Sequence, residues 1–66
     1  MNVNLIELKV GGFSVSIGDI DCGIFEQIDN GGPYSYYPKL QHRLTGDHYI
    51  AIGHKLNELN KGKRNV

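Results

Sequence analysis

The chain has 66 residues, no net charge, 7 basic and 7 acidic side chains, and one cysteine, Cys22. That length supports one domain near the lower limit for independent folding. The lone cysteine excludes a disulfide framework within the chain and makes a reducing compartment, the cytoplasm, the expected location. Leu, Ile, Val and Phe number 19, too many for a disordered chain. The apolar runs are too short to span a membrane, and MNVNLIELKV lacks the basic start of a signal peptide.

A domain of this size usually draws extra stability from disulfides, a metal or a partner. With no disulfide and no metal motif, self-association is the expected supplement. Charge is unevenly placed. Residues 1–30 carry Glu7, Asp19, Asp21, Glu26 and Asp29 against Lys9, a balance of −4. Residues 31–66 carry Lys39, Arg43, Lys55, Lys61, Lys63 and Arg64 against Asp47 and Glu58, a balance of +4. The simplest reading is attraction between the halves within one fold. The sharper reading is head-to-tail contact between copies, or a basic face for an anionic partner.

The first element, VNLIELKV (3–10), reads as a strand with Ile6, Leu8 and Val10 on one face and Val3 and Leu5 on the other. Gly11-Gly12 predicts a tight hairpin. FSVSIG alternates cleanly, with Phe13, Val15 and Ile17 on one face and the serines on the other, so it predicts a second strand. Residues 18–23 read as a turn or irregular link. Residues 23–29 read as a third strand, with Ile24 and Ile28 in phase with Cys22 and Phe25 on the opposite face. Asp29-Asn30-Gly31-Gly32 is a turn signal. The tyrosine run 34–37 between Pro33 and Pro38 predicts a short edge strand, since proline lacks the ladder N–H. Tyr34 and Tyr36 then share one face and Tyr37 takes the other.

The period then changes. Tyr49, Ile52, Leu56 and Leu59 form a helical stripe, Thr45 is a suitable N-cap, and Gly62 suits the position after the helix. Gly53 in mid-helix implies a close approach between helix and sheet. The predicted fold is α+β: an antiparallel meander of three to four strands with one C-terminal helix packed on one face, in a single domain over residues 1–62, followed by a flexible basic tail, 63–66. The predicted core sets Ile6, Leu8, Val10, Phe13, Val15, Ile17, Ile24 and Ile28 against the helical stripe. The uncovered face becomes a partner or oligomer surface if Tyr37, Phe25, Leu5 and Val3 line it.

In residues 44–61, Leu44, Thr45, Tyr49, Ile52, Leu56, Leu59 and Asn60 follow a pattern of the form LT-x(3)-[LY]-x(2)-I-x(3)-L-x(2)-LN. This ending resembles that of small phage and prophage accessory proteins, in which a few strands precede such a helix. The resemblance implies a phage accessory protein acting in the host cytoplasm. That group includes stoichiometric inhibitors of host defence. It carries no catalytic residue across.

The residues themselves show no catalytic set. His42, His48 and His54 recur every six residues, which on a helix separates successive side chains by about 240° and prevents a shared metal shell. Cys22 lies beside Asp19 and Asp21, which oppose thiolate formation. Neither glycine pair leads into a phosphate-binding helix. No cofactor is expected and no enzyme activity. The remaining constellation is Tyr34, Tyr36 and Tyr37 followed by Lys39, His42 and Arg43, in which aromatics stack or fill pockets and cations pair with phosphates or carboxylates. This is the predicted binding site. Its expected partner is a protein, met by stoichiometric contact. The alternative is a nucleotide-like anion held between copies of an oligomer. Nucleic-acid binding through Lys55 and the basic tail ranks third, because zero net charge argues against a sustained basic face.

Overall fold

The computed structural model describes residues 1–40 and 43–61. The predicted tail 63–66, the Gly62 position and His42 lie outside them. Four strands, β1 (Asn4–Glu7), β2 (Phe13–Ile17), β3 (Ile20–Gln27) and β4 (Tyr34–Pro38), form one antiparallel sheet in the order β1-β2-β3-β4. One helix, α1 (Gly46–Asn60), follows and packs on one face. The fold is therefore the α+β meander with a C-terminal helix that the alternation and the change of period predict.

The register departs from expectation at two places. A two-residue turn at Gly11-Gly12 would set Val10 opposite Phe13 and Ile6 opposite Ile17. Instead the turn is built on Leu8 to Gly11, whose N–H donates to the Leu8 carbonyl at 3.0 Å. The Leu8 N–H then donates to the Gly12 carbonyl at 3.0 Å. Gly11 takes φ of 96°, the left-handed residue that closes a three-residue hairpin loop. Val10 leaves the strand, Leu5 pairs with Val15 and Ile6 with Ser14. The slip is an odd number of residues, so every side chain of β1 changes face. Leu5 and Val3 pack on the core, while Ile6 is 63% and Val10 89% exposed.

The second departure is a β-bulge. Val15 pairs with Gly23 and Ser16 with Asp21, so Cys22 is the extra residue of β3. A bulge shifts the alternation by one position. Ile20 and Cys22 face the helix before it, and Phe25 faces the helix after it. The expected faces of Phe25 and Ile24 are thus exchanged: Phe25 is fully buried, and Ile24 lies on the open side in the row of Ser14 and Tyr37. Burying a phenylalanine in this way stabilises by about 2–3 kcal/mol. β3 begins earlier than the pattern 23–29 suggests, because the turn between β2 and β3 is only Gly18-Asp19. It ends before Ile28, which is exposed.

Gly23 makes the bulge possible. Its φ is 120°, a region essentially confined to glycine, and a Cβ there would run into the Tyr37 carbonyl and the backbone of Pro38 and Lys39;. The core is small: Val15, Ile17, Cys22, Phe25 and Ile52, with Phe13, Tyr34, Tyr36, Leu44, Leu56 and Leu59 packed around it. Within the predicted helical stripe, Ile52 is the buried member and Tyr49 is 48% exposed.

Thr45 is the N-cap of α1 as predicted, with His48 as its reciprocal partner: the Thr45 N–H donates to His48 Nδ1 at 2.9 Å. Asn60 at the other end reaches β4. Its Oδ1 accepts from the Tyr34 N–H at 2.7 Å and its Nδ2 donates to the Tyr34 carbonyl at 3.0 Å. A side-chain amide thereby takes the place of a neighbouring strand at the start of β4, and each such bond contributes about 1 kcal/mol.

Gly23 in β3 and Gly53 in α1 have opposite roles. Gly53 makes no close approach, because a Cβ there would meet nothing within 4 Å. Gly53→Ala is expected to stabilise by about 1 kcal/mol, a rise in melting temperature of roughly 4–8 °C. Gly23→Ala is expected to destabilise by at least ~3 kcal/mol. Thermal and denaturant unfolding of both variants checks the pair.

Candidate functional site

Of the six residues predicted from sequence, the five that are described, Tyr34, Tyr36, Tyr37, Lys39 and Arg43, do not form one surface. Tyr34 and Tyr36 lie on the helix side of β4, facing Gln27 and Phe25 of β3. The Tyr34 ring tilts against Phe13, with centroids 5.6 Å apart, while its backbone is held by Asn60. Tyr36 meets Phe25 edge-on at 5.8 Å, a favourable aromatic geometry;. Its hydroxyl donates to the Cys22 carbonyl at 2.6 Å. Burial is the main reason its phenol pKa is pushed up to about 12;. Both tyrosines are structural parts of the fold.

Lys39 and Arg43 are tethers. Lys39 Nζ lies 2.9 Å from Asp21 Oδ2. Arg43 lies 3.0 Å from Asp19 Oδ1. The hydrogen bond from Lys39, and after it that from the Gly23 N–H, holds the Asp21 carboxyl below its ordinary pKa. Both pairs are solvent-exposed and individually weak. They nevertheless join acids of the first half to bases of the second, as expected if the charge halves attract within one fold. An anionic ligand at Lys39 or Arg43 would have to displace a carboxylate. Cys22 is fully buried, and burial pushes its thiol pKa up, the direction that suppresses the thiolate;. Among the described residues no three His, Cys, Asp or Glu side chains cluster as metal ligands. None of the helices among the described residues is long and apolar enough to cross a membrane.

Tyr37 is the one predicted tyrosine that faces away from the helix, 43% exposed. The register makes it part of a row. Ile6 pairs with Ser14, Ser14 with Ile24, and Ile24 with Tyr37, so one line of side chains crosses all four strands on the open face. Polar rows flank it: Asn4, Ser16 and Asp21 on one side, Glu26 and Ser35 on the other. A row of two isoleucines and a tyrosine, interrupted by Ser14 and set between polar margins, has the composition of a contact surface;. The sequence reading assigns Ile6 and Ile24 to the core and so misses this stripe. The available signal is Gly23 inside a strand pattern, which marks a bulge and hence a change of face.

A second feature lies on the helix side, at the β1 edge. A groove of about 510 Å³ runs between Met1–Asn4 and the α1 residues Asp47, Ile50, Ala51, His54, Lys55 and Glu58.

No family model, no curated protein and no solved structure matches the chain.

Tyr36 supplies the chemical check of this geometry. Because its pKa is raised in the folded state, its contribution to stability is intact below the ordinary phenol pKa near 10 and is lost as pH rises toward 12;. Ultraviolet titration of the folded protein is expected to show one tyrosine ionising near pH 12. Tyr36→Phe is expected to remove that step and cost about 1 kcal/mol, because the Cys22 carbonyl keeps only the Lys39 N–H at 3.2 Å;.

Proposed function

We propose that this chain is a non-enzymatic binding protein that acts by stoichiometric contact with a protein partner, through the sheet face turned away from its helix. The observation that carries the proposal is the continuous row Ile6–Ser14–Ile24–Tyr37. An isoleucine and a tyrosine standing together on a rigid sheet offer apolar anchors whose side-chain entropy is already reduced. The flanking serines and carboxylates provide a polar rim with hydrogen-bonding capacity. Lys39 and Arg43 each face a carboxylate of their own chain, which favours a protein contact over a nucleotide-like anion. The resemblance of residues 44–61 to phage accessory proteins supports a more specific version: a phage-encoded inhibitor that occupies a host defence protein in the bacterial cytoplasm.

Substitutions on this face separate binding from folding. Ile24→Glu and Tyr37→Glu leave the helix side untouched, so the melting temperature is expected to change little. A partner captured by the wild-type chain from bacterial lysate is identified, purified and titrated against each variant. Saturable wild-type binding that weakens at least roughly tenfold in both variants is expected. Lack of any saturable partner, or binding indifferent to both substitutions, overturns the proposal.

A further inference from the structure

The two free edges of the sheet are finished differently. On β4 the outward-facing residues are Tyr34, Tyr36 and Pro38, since the Tyr34 N–H and carbonyl both point to Asn60 and the Lys39 N–H points back to Cys22;. Asn60 occupies the groups of Tyr34, and Pro38 has no N–H to offer. Such devices blunt an edge against further pairing. On β1 the Leu8 N–H points to Gly12, so alternation turns Asn4 and Ile6 toward β2 and turns Leu5 and Glu7 outward, with Val3, just before the strand, the next residue in that phase;. Among the described residues nothing meets those outward groups, no proline interrupts them, and the groove of about 510 Å³ lies open beside them.

We propose that the β1 edge pairs antiparallel with the β1 edge of a second copy, about a two-fold axis at Leu5. Each 4-stranded sheet then becomes half of one continuous eight-stranded sheet. The occupant is a second copy because the edge is complementary to itself. With Leu5 opposite Leu5, Val3 falls opposite Glu7 and Glu7 opposite Val3, and each outward N–H and carbonyl of these three residues finds a partner. Registers centred elsewhere pair fewer of them. Two features of the charges favour this register. Glu7 is the single charged residue of β1, and in this register the two copies of it sit at opposite ends, roughly 14 Å apart;. Each Glu7 shares the helix-side face with Leu5 and therefore projects beside Val3 of the other copy, toward the groove whose ionisable lining is Asp47, His54, Lys55 and Glu58, and Lys55 is the cation there for it to meet. Lys55 is available there, because its only ion pair among the described residues is a loose 3.8 Å contact with Glu58. Pairing across this axis keeps both helices on one side and both open faces on the other. The surface assigned to the protein partner is thereby doubled into one continuous face, which links this inference to the proposed function without depending on it.

Sedimentation equilibrium at about 100 µM tests the pairing. The full chain is expected at twice its 7.4 kDa mass. Glu7→Pro, which removes one outward N–H and leaves the ladder to β2 intact, is expected to sediment as a folded monomer. Lys55→Glu is expected to weaken dimerisation roughly tenfold, and Glu7→Lys combined with Lys55→Glu to restore it. A monomeric wild-type chain, or a dimer indifferent to Glu7→Pro and to the charge exchange, overturns the proposal. Should Glu7→Pro fail to fold, amide exchange in the wild type decides. Val3, Leu5 and Glu7 amides protected at high concentration and released on dilution support the pairing; fast exchange at every concentration overturns it. Ile24→Glu leaves the dimer mass unchanged, so failure of the partner surface and failure of the dimer are read separately.

Discussion

The bulge at Cys22 and Gly23 is the constraint on which the rest of this small structure depends. One extra residue in β3 lets Ile20, Cys22 and Phe25 all face the helix, which strict alternation forbids;. The interactions around it converge. The Cys22 carbonyl accepts from the Tyr36 hydroxyl and the Lys39 N–H. The Gly23 N–H donates to Asp21 at 3.1 Å, and Asp21 in turn pairs with Lys39. Buried packing, a backbone conformation confined to glycine, and an exposed ion pair thus fix the same few residues. Without the bulge, Phe25 would stand on the open face and the core would lose its largest side chain.

The same local event shapes the surface. By turning Phe25 inward it turns Ile24 outward, beside Tyr37 and in line with Ser14 and Ile6. The hairpin at Leu8–Gly12 completes the row, since its three-residue loop is what brings Ile6 rather than Leu5 to the open side. A core of five buried residues among those described leaves apolar side chains such as Ile6, Val10, Ile50 and Leu40 in solvent. For a chain of this size, contact with a partner or a second copy is the physical route to covering some of that surface.

Much of the architecture was legible from local pattern. β2 alternates without interruption, the tyrosine run alternates between prolines, and Thr45 caps a helix whose buried residue is Ile52. What local pattern missed was parity. Val10 looks like strand but belongs to a turn, and Cys22 looks in phase with Ile24 but is separated from it by a bulge. Each shift moves a whole strand face from core to solvent, so the predicted core and open face exchanged Leu5 with Ile6 and Phe25 with Ile24. The candidate site suffered from a different cause. Three tyrosines and nearby cations look alike in sequence, yet tertiary contacts give Tyr34 and Tyr36 to packing, Lys39 and Arg43 to carboxylates, and only Tyr37 to the open face.

The core, the open-face row and the proposed contact all depend on which side of the sheet Phe25 and Ile24 occupy. Nuclear Overhauser contacts in the isotope-labelled chain measure this directly. The Phe25 ring is expected to show contacts to Ile52 methyl groups, and Ile24 methyl groups to show contacts to Ser14 and Tyr37 but none to α1. Contacts from Ile24 to Ile52 or Leu56, with a Phe25 ring open to solvent, would contradict the bulge, the open-face row and the function proposed for it.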